Sequence, residues 1–253
     1  MNVKTFVILA SLTLAPVVHA DLLSTLTSSP AAQAAAAALP QDQVVQGLKE
    51  ALSKGVQNAI AQLGHDGGFL TNVSVKIAIP DKLKSVEKGL RAAKQDTLAD
   101  AFITTMNHAA EQAVPEAAVV FGDAVTSMSI DDAKSILSGS TNAATLYFQK
   151  KTRAALQAKF LPIIKAATDK AGTTAAYKKF MSKAGDYTSS FGSFGTLAGN
   201  LTKTESLDVD AYVTGKALDG LFKMVANEEA AIRKDPAART TDVLQKVFGA
   251  VAK

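Results

Sequence analysis

The chain lacks cysteine and tryptophan altogether, and only 6% of its 253 residues are aromatic. Without thiols there is no thiolate nucleophile, no iron-sulfur ligand set, no cysteine-based zinc site and no disulfide framework. Clustered charge is missing too. The 27 Lys+Arg and 23 Asp+Glu leave a net charge of only +4, and no stretch gathers five or six charges of one sign. A nucleic-acid partner is therefore not expected, and the pairs Lys150-Lys151 and Lys178-Lys179 read as solvated helix faces. Imidazole is scarce: past residue 20 only His65 and His108 remain, neither within an HExxH or ExxH pattern, too few for a catalytic zinc or di-iron site. No GxSxG elbow and no phosphate loop appears, and the glycines of residues 191–199 follow no strand and open no clear helix. These patterns imply no metal and no cofactor.

Long apolar runs are missing as well, except at the start. Lys4 precedes the apolar stretch 6–15, and Val18-His19-Ala20 supplies small residues for cleavage before Asp21, the layout of an export leader. The run is shorter than the roughly 20 residues that cross a bilayer, and Pro16 interrupts it, so residues 1–20 are expected to be removed. No cysteine follows to carry a lipid, and nothing later approaches 18 consecutive apolar residues. A periplasmic or secreted bacterial protein, with no transmembrane segment after cleavage, is the expected product.

Residues 21–40 are Ser/Thr-rich and then Ala-rich, and read as a tether. From Gln41 the pattern turns helical: Val45, Leu48, Leu52, Val56, Ile60 and Leu63 recur at three- and four-residue spacing until Gly64 and Asp66-Gly67-Gly68 end the run. Residues 73–79 alternate and are β-branched, the one strand signal in the chain; the segment is expected to pair with an unseen strand, pair across a dimer, or run extended over helices. Helical patterns follow at 81–93, 96–114, 115–127, 129–137, 141–171, 173–184, 208–234 and 240–252. Pro115 suits a helix start, Ser129-x-x-Asp132 a capping box, and Gly139 and Gly172 helix ends, while Pro162 is expected to kink or break the long pattern. Residues 185–206 are Gly-rich and carry Tyr187, Phe191 and Phe194 without a period, the mark of a flexible loop. The expected fold is all-α, a bundle-like single domain over 41–253 with at most one short strand or hairpin near 73–79.

A helix advancing about 100° per residue places Leu98, Phe102, Met106, Ala109 and Ala113 on one stripe of the 96–114 segment, and Asp100, Thr104, Asn107 and Glu111 on a polar face read as solvated. His108 and Glu111 share a side of that helix, a spacing that favours a local surface contact. In the 208–234 segment the apolar arc takes in Val209, Val213, Ala217, Leu221, Met224, Val225 and Ile232, with Glu228 near its middle. A carboxylate there needs a cation or a proton. Lys216, Asp219 and Arg233 lie on the opposite side, leaving Arg239 and Lys76 as expected partners.

Several segments together resemble the bacterial domain of unknown function 4197 family. They are Gly67-Gly68-Phe69 with Asn72 and Val75-Lys76-Ile77-x-x-Pro80; Met106-Asn107-x-Ala109-Ala110-Glu111-x-Ala113-Val114-Pro115; Asp131-Asp132-Ala133 with Ala143-Ala144-Thr145-x-Tyr147-Phe148; Tyr212-Val213-Thr214-x-Lys216-Ala217-Leu218-Asp219-Gly220-Leu221-Phe222; and Arg239-Thr240-Thr241-Asp242 with Val247-Phe248-Gly249. The resemblance runs from about Gly47 to Gly249 and implies an exported helical protein without implying an activity. The family pattern carries an arginine where this chain has His108, and the 185–206 loop looks like an elaboration.

The expected function is a non-enzymatic binding or interaction module whose partner is an envelope protein or a small apolar ligand. A ligand site would take polar groups from Asn107, Glu111, Lys216, Asp219, Glu228 and Arg239, against a wall of Phe102, Met106, Phe222 and Met224. Two alternatives stand beside it: a cell-envelope hydrolase with Glu228 as acid and Glu111 or Asp219 ionised, and a structural subunit pairing through 73–79.

Overall fold

The computed structural model describes residues 41–170 and 208–234. The leader, the 21–40 tether, the patterns at 173–184 and 240–252, the 185–206 loop, Gly172 and Arg239 lie outside them. The described residues form α1 (Gln41–Leu63), α2 (Lys84–Ala92), α3 (Asp96–Ala113), α4 (Ala117–Thr126), α5 (Ile130–Ser138), α6 (Ala143–Lys170) and α7 (Val209–Lys234), with single 3-10 turns at Asp81–Leu83 and Val114–Glu116. This is an all-α fold with no strand among the described residues.

The core follows from the apolar spacing. Leu48, Leu52, Val56, Ala59 and Leu63 of α1 are buried at intervals of three and four, and no helix of the described residues is long and apolar enough to cross a membrane. Helix α6 lies against α3, α4 and α7, while α1 covers α4, α5 and α7. Where they meet, Phe121 stands edge-on to Phe148 at 5.1 Å and to Phe222 at 6.0 Å between ring centroids. Phe102, Met106, Phe222 and Met224, proposed as a ligand wall, are all buried in this core.

Helices α6 and α7 run antiparallel, as three contacts in reversed order show: Thr168 with Asp210 at 2.7 Å, Arg153 with Asp219 at 2.9 Å, and Thr145 with Glu229 at 2.8 Å. Asp208 caps α7 by accepting from the Ala211 N–H at 2.9 Å. Pro162 does not break α6. Both Pro162 and Ala158, whose carbonyl loses its intrahelical donor, are exposed, so water replaces the missing bond. Gly139 ends α5 as expected but without a left-handed turn, at φ −81°. Its need for glycine is steric, since a Cβ there would stand 2.6 Å from the Ser135 carbonyl oxygen.

Ser129 opens α5 with a complete capping box: its hydroxyl accepts from the Asp132 N–H, and Asp132 accepts from the Ser129 N–H, each at 3.1 Å. The Ser129 side chain, then its backbone, holds the Asp132 carboxyl below the usual carboxylate range. A group with a lowered folded pKa contributes above its unfolded pKa and loses that contribution as pH falls through the folded value. Ser129→Ala is accordingly expected to cost about 1 kcal/mol at neutral pH, with the difference shrinking in acid. Urea unfolding of both proteins at pH 7 and pH 3 checks this.

The segment between α1 and α2 corrects the strand expectation. Residues 73–75 form a turn and 76–80 run extended, with no partner strand. Val75, Ile77 and Ile79 are buried and Lys76 and Ala78 exposed, so the alternation is real, but the buried face lies on helices. Of the readings of 73–79 within one chain, the extended segment over helices is the one adopted.

Candidate functional site

That segment is held by side chains from α3 and α7. One turn apart on α3, Asn107 and Glu111 both face it. Asn107 Oδ1 accepts the Ile77 N–H at 2.8 Å, while Nδ2 donates to the Ile77 carbonyl at 2.9 Å and to the Ile103 carbonyl at 2.7 Å. A single amide thus takes both backbone groups that a neighbouring strand would have paired. Glu111 Oε1 accepts the N–H groups of Phe69 and Leu70 at 2.8 and 3.0 Å. From α7, Tyr212 donates to the Ala78 carbonyl at 3.0 Å and Lys223 to the Ser74 carbonyl at 2.8 Å. The Phe69 ring, fully buried, sits on Gly220, where a Cβ would meet the ring edge at 2.7 Å.

One expectation for α3 changes here and a second is narrowed. Asn107 and Glu111 do not belong to a solvated face, being 0% and 3% exposed, because the segment covers the part of α3 that carries them. Asp100 of the same face is exposed and pairs with Arg91 at 2.9 Å. The His108–Glu111 pair forms the expected local contact, Nδ1 and Oε2 being 2.7 Å apart, but only its His108 end reaches the surface: that side chain is 40% exposed and that of Glu111 2%. Asp66 joins them. Each of Asp66, His108 and Glu111 offers one ligand atom, all within 4.8 Å of one another. No Lys or Arg among the described residues forms an ion pair with either carboxylate. Sequence spacing could not disclose this trio, since Asp66 stands in a loop read only as a helix stop.

The remaining candidates lie elsewhere. Lys216 is exposed, with its ammonium 5.8 Å from the centre of the Tyr212 ring. Burial, and then Asp81, raise the Tyr212 hydroxyl above the usual phenol range. Asp219 is exposed and pairs with Arg153 at 2.9 Å. Glu228 is half-buried against α1, accepting from Asn58 Nδ2 at 3.0 Å and Gln62 Nε2 at 2.7 Å. These amides, not Lys76, are its partners among the described residues; Lys76 is exposed.

The deeply buried carboxylate of α7 is the next residue, Glu229, at 5% exposure. Its oxygens accept the N–H groups of Ala144 and Thr145 at 3.0 and 2.9 Å and the Thr145 hydroxyl at 2.8 Å, capping α6 from another helix. Arg233, one turn on, pairs with it at 3.0 Å and donates to the Ile136 carbonyl near the end of α5 at 2.8 Å. Arg233 therefore faces inward, with its side chain 12% exposed, rather than lying on the polar side. The Glu229-x-x-x-Arg233 spacing was the available sequence signal.

Glu229 and Arg233 also line a largely apolar pocket with Leu48, Ala51, Leu52, Ile136, Ala144 and Ile232, enclosing at most 210 Å³. That is below the roughly 300 Å³ at which small-molecule sites begin. None of Asn107, Glu111, Lys216, Asp219 and Glu228 lines it. Asn107 and Glu111 come together on one segment, with Lys216 near its far end through Tyr212, whereas Asp219 and Glu228 bind α6 and α1 separately.

A family described as "Protein of unknown function (DUF4197)" matches residues 38–249. No curated protein and no solved structure gives a significant match.

Proposed function

Since the chain belongs to the DUF4197 family, we propose that it is an exported, non-enzymatic helical module that works by binding a partner in the bacterial cell envelope. The observation that carries this reading is how the interior polar groups are used. Asn107, Glu111 and Glu229 bind backbone groups of the chain itself, and both oxygens of Glu228 accept amide hydrogen bonds. A carboxylate-dependent hydrolase needs two such groups free in one cleft, roughly 5–9.5 Å apart. The pocket beside Glu229 and Arg233 is below the size of small-molecule sites and is not proposed as a ligand site. The same bonding counts against pairing through 73–79, because both backbone groups of Ile77 are already occupied. Export rests on the leader pattern.

Incubating the mature protein with purified peptidoglycan and following soluble fragments by mass spectrometry is expected to show none above a blank. Fragment release that Glu228→Gln abolishes would replace this reading with the hydrolase. In cell fractionation the protein should begin at Asp21 and appear in the periplasm or medium, cross-linked there to a discrete envelope protein. An intact precursor among cytosolic proteins would refute export.

A further inference from the structure

We propose that Asp66, His108 and Glu111 form a binding site for a borderline divalent transition-metal cation, with zinc as its natural probe. The argument starts from charge. Two carboxylates are brought together with an imidazole, all ligand atoms lying within 4.8 Å, and no described Lys or Arg pairs with either acid. Such a grouping is repulsive whenever both acids are ionised and His108 is neutral, and a divalent cation removes the repulsion.

Geometry supports the same conclusion. Ligand atoms about 2.0–2.2 Å from one metal ion stand roughly 3–4 Å from one another, so closing this trio takes only a small movement. Glu111 is already oriented: the Phe69 and Leu70 N–H groups hold Oε1, which leaves Oε2 toward His108. This is the supporting hydrogen bonding that metal-ligating carboxylates have elsewhere. The third ligand is Asp66, exposed and just before Gly67, whose φ of +88° turns the chain. Solvent reaches the site past Asp66 and the 40% exposed His108 side chain, so an ion can enter and water can complete its coordination.

On binding, the hydrogen bond between His108 Nδ1 and Glu111 Oε2 is exchanged for two bonds to the metal, the ring proton moving to Nε2 as neutral imidazole changes tautomer. One nitrogen and two carboxylates suit zinc or its neighbours. Calcium, which takes six to eight oxygens, and magnesium, which keeps most of its waters, fit poorly. The site does not depend on where the protein resides or on its partner.

The test is titration of the mature protein with zinc against a chromogenic chelator, together with thermal melting. One zinc per chain is expected, with a higher melting temperature when it is bound. Asp66→Asn and His108→Arg should each weaken binding by at least about tenfold and abolish the shift. His108→Arg keeps a hydrogen-bond donor beside Glu111, so its metal-free melting temperature should stay near that of the parent, which separates ligation from a structural role. Absence of uptake by the parent protein, or equal uptake in both variants, would overturn the site.

Discussion

Glu229→Ala is expected to lower the unfolding free energy by about 3–5 kcal/mol, enough to leave a domain of this size marginal or unfolded. Glu229 joins three helices: from α7 it caps the N-terminus of α6, and through Arg233 it reaches the Ile136 carbonyl of α5. Truncation strands the Ala144 and Thr145 N–H groups and leaves a nearly buried guanidinium without its carboxylate. Adding Arg233→Met should recover part of the loss by removing a nearly buried cation that no longer meets Glu229. Glu228→Ala, one residue away but half-buried and bonded to two amides among the described residues, should cost about 1 kcal/mol. Urea denaturation of the three variants beside the parent decides the matter. Equal losses for Glu228→Ala and Glu229→Ala would show that burial does not separate the two acids.

Asn107→Leu should cost about 2–6 kcal/mol, although leucine has nearly the same shape. The replacement fits the space but leaves the Ile77 N–H and carbonyl buried without partners, and each such group costs about 1–3 kcal/mol. Asn107→Asp should cost at least as much, because it places a buried carboxylate oxygen against the Ile77 and Ile103 carbonyls. Local opening is the sharper readout. Amide exchange at residues 75–79 should quicken in Asn107→Leu more than exchange in α6, because Asn107 holds the segment and not the helices. Uniform acceleration across the molecule would refute that assignment.

Both residues show how the sequence can be read and where reading stops. The apolar spacing in Leu48, Leu52, Val56 and Leu63 foretold α1, and Ser129 with Asp132 foretold the start of α5, since periodicity and capping are local properties. The alternation at 73–79 correctly indicated one buried face, but the same pattern serves a strand or an extended segment on helices. Glu228 and Glu229 differ by only 100° on an idealised wheel, and the packing of α6, not the wheel, selects which is buried. Glu111 and Asn107 looked solvated because the covering residues lie 30 to 42 positions earlier in the chain.

Helical class, most helix boundaries and family membership were thus written in the order of the residues, because they depend on neighbours within a few turns or on motifs read along the chain. The roles of Asn107, Glu111 and Glu229, the joining of Asp66 to His108, and the seating of Phe69 on Gly220 were decided only in three dimensions. A polar side chain inside a protein is defined by the donor or acceptor it meets, and here those partners come from distant segments that share no local pattern.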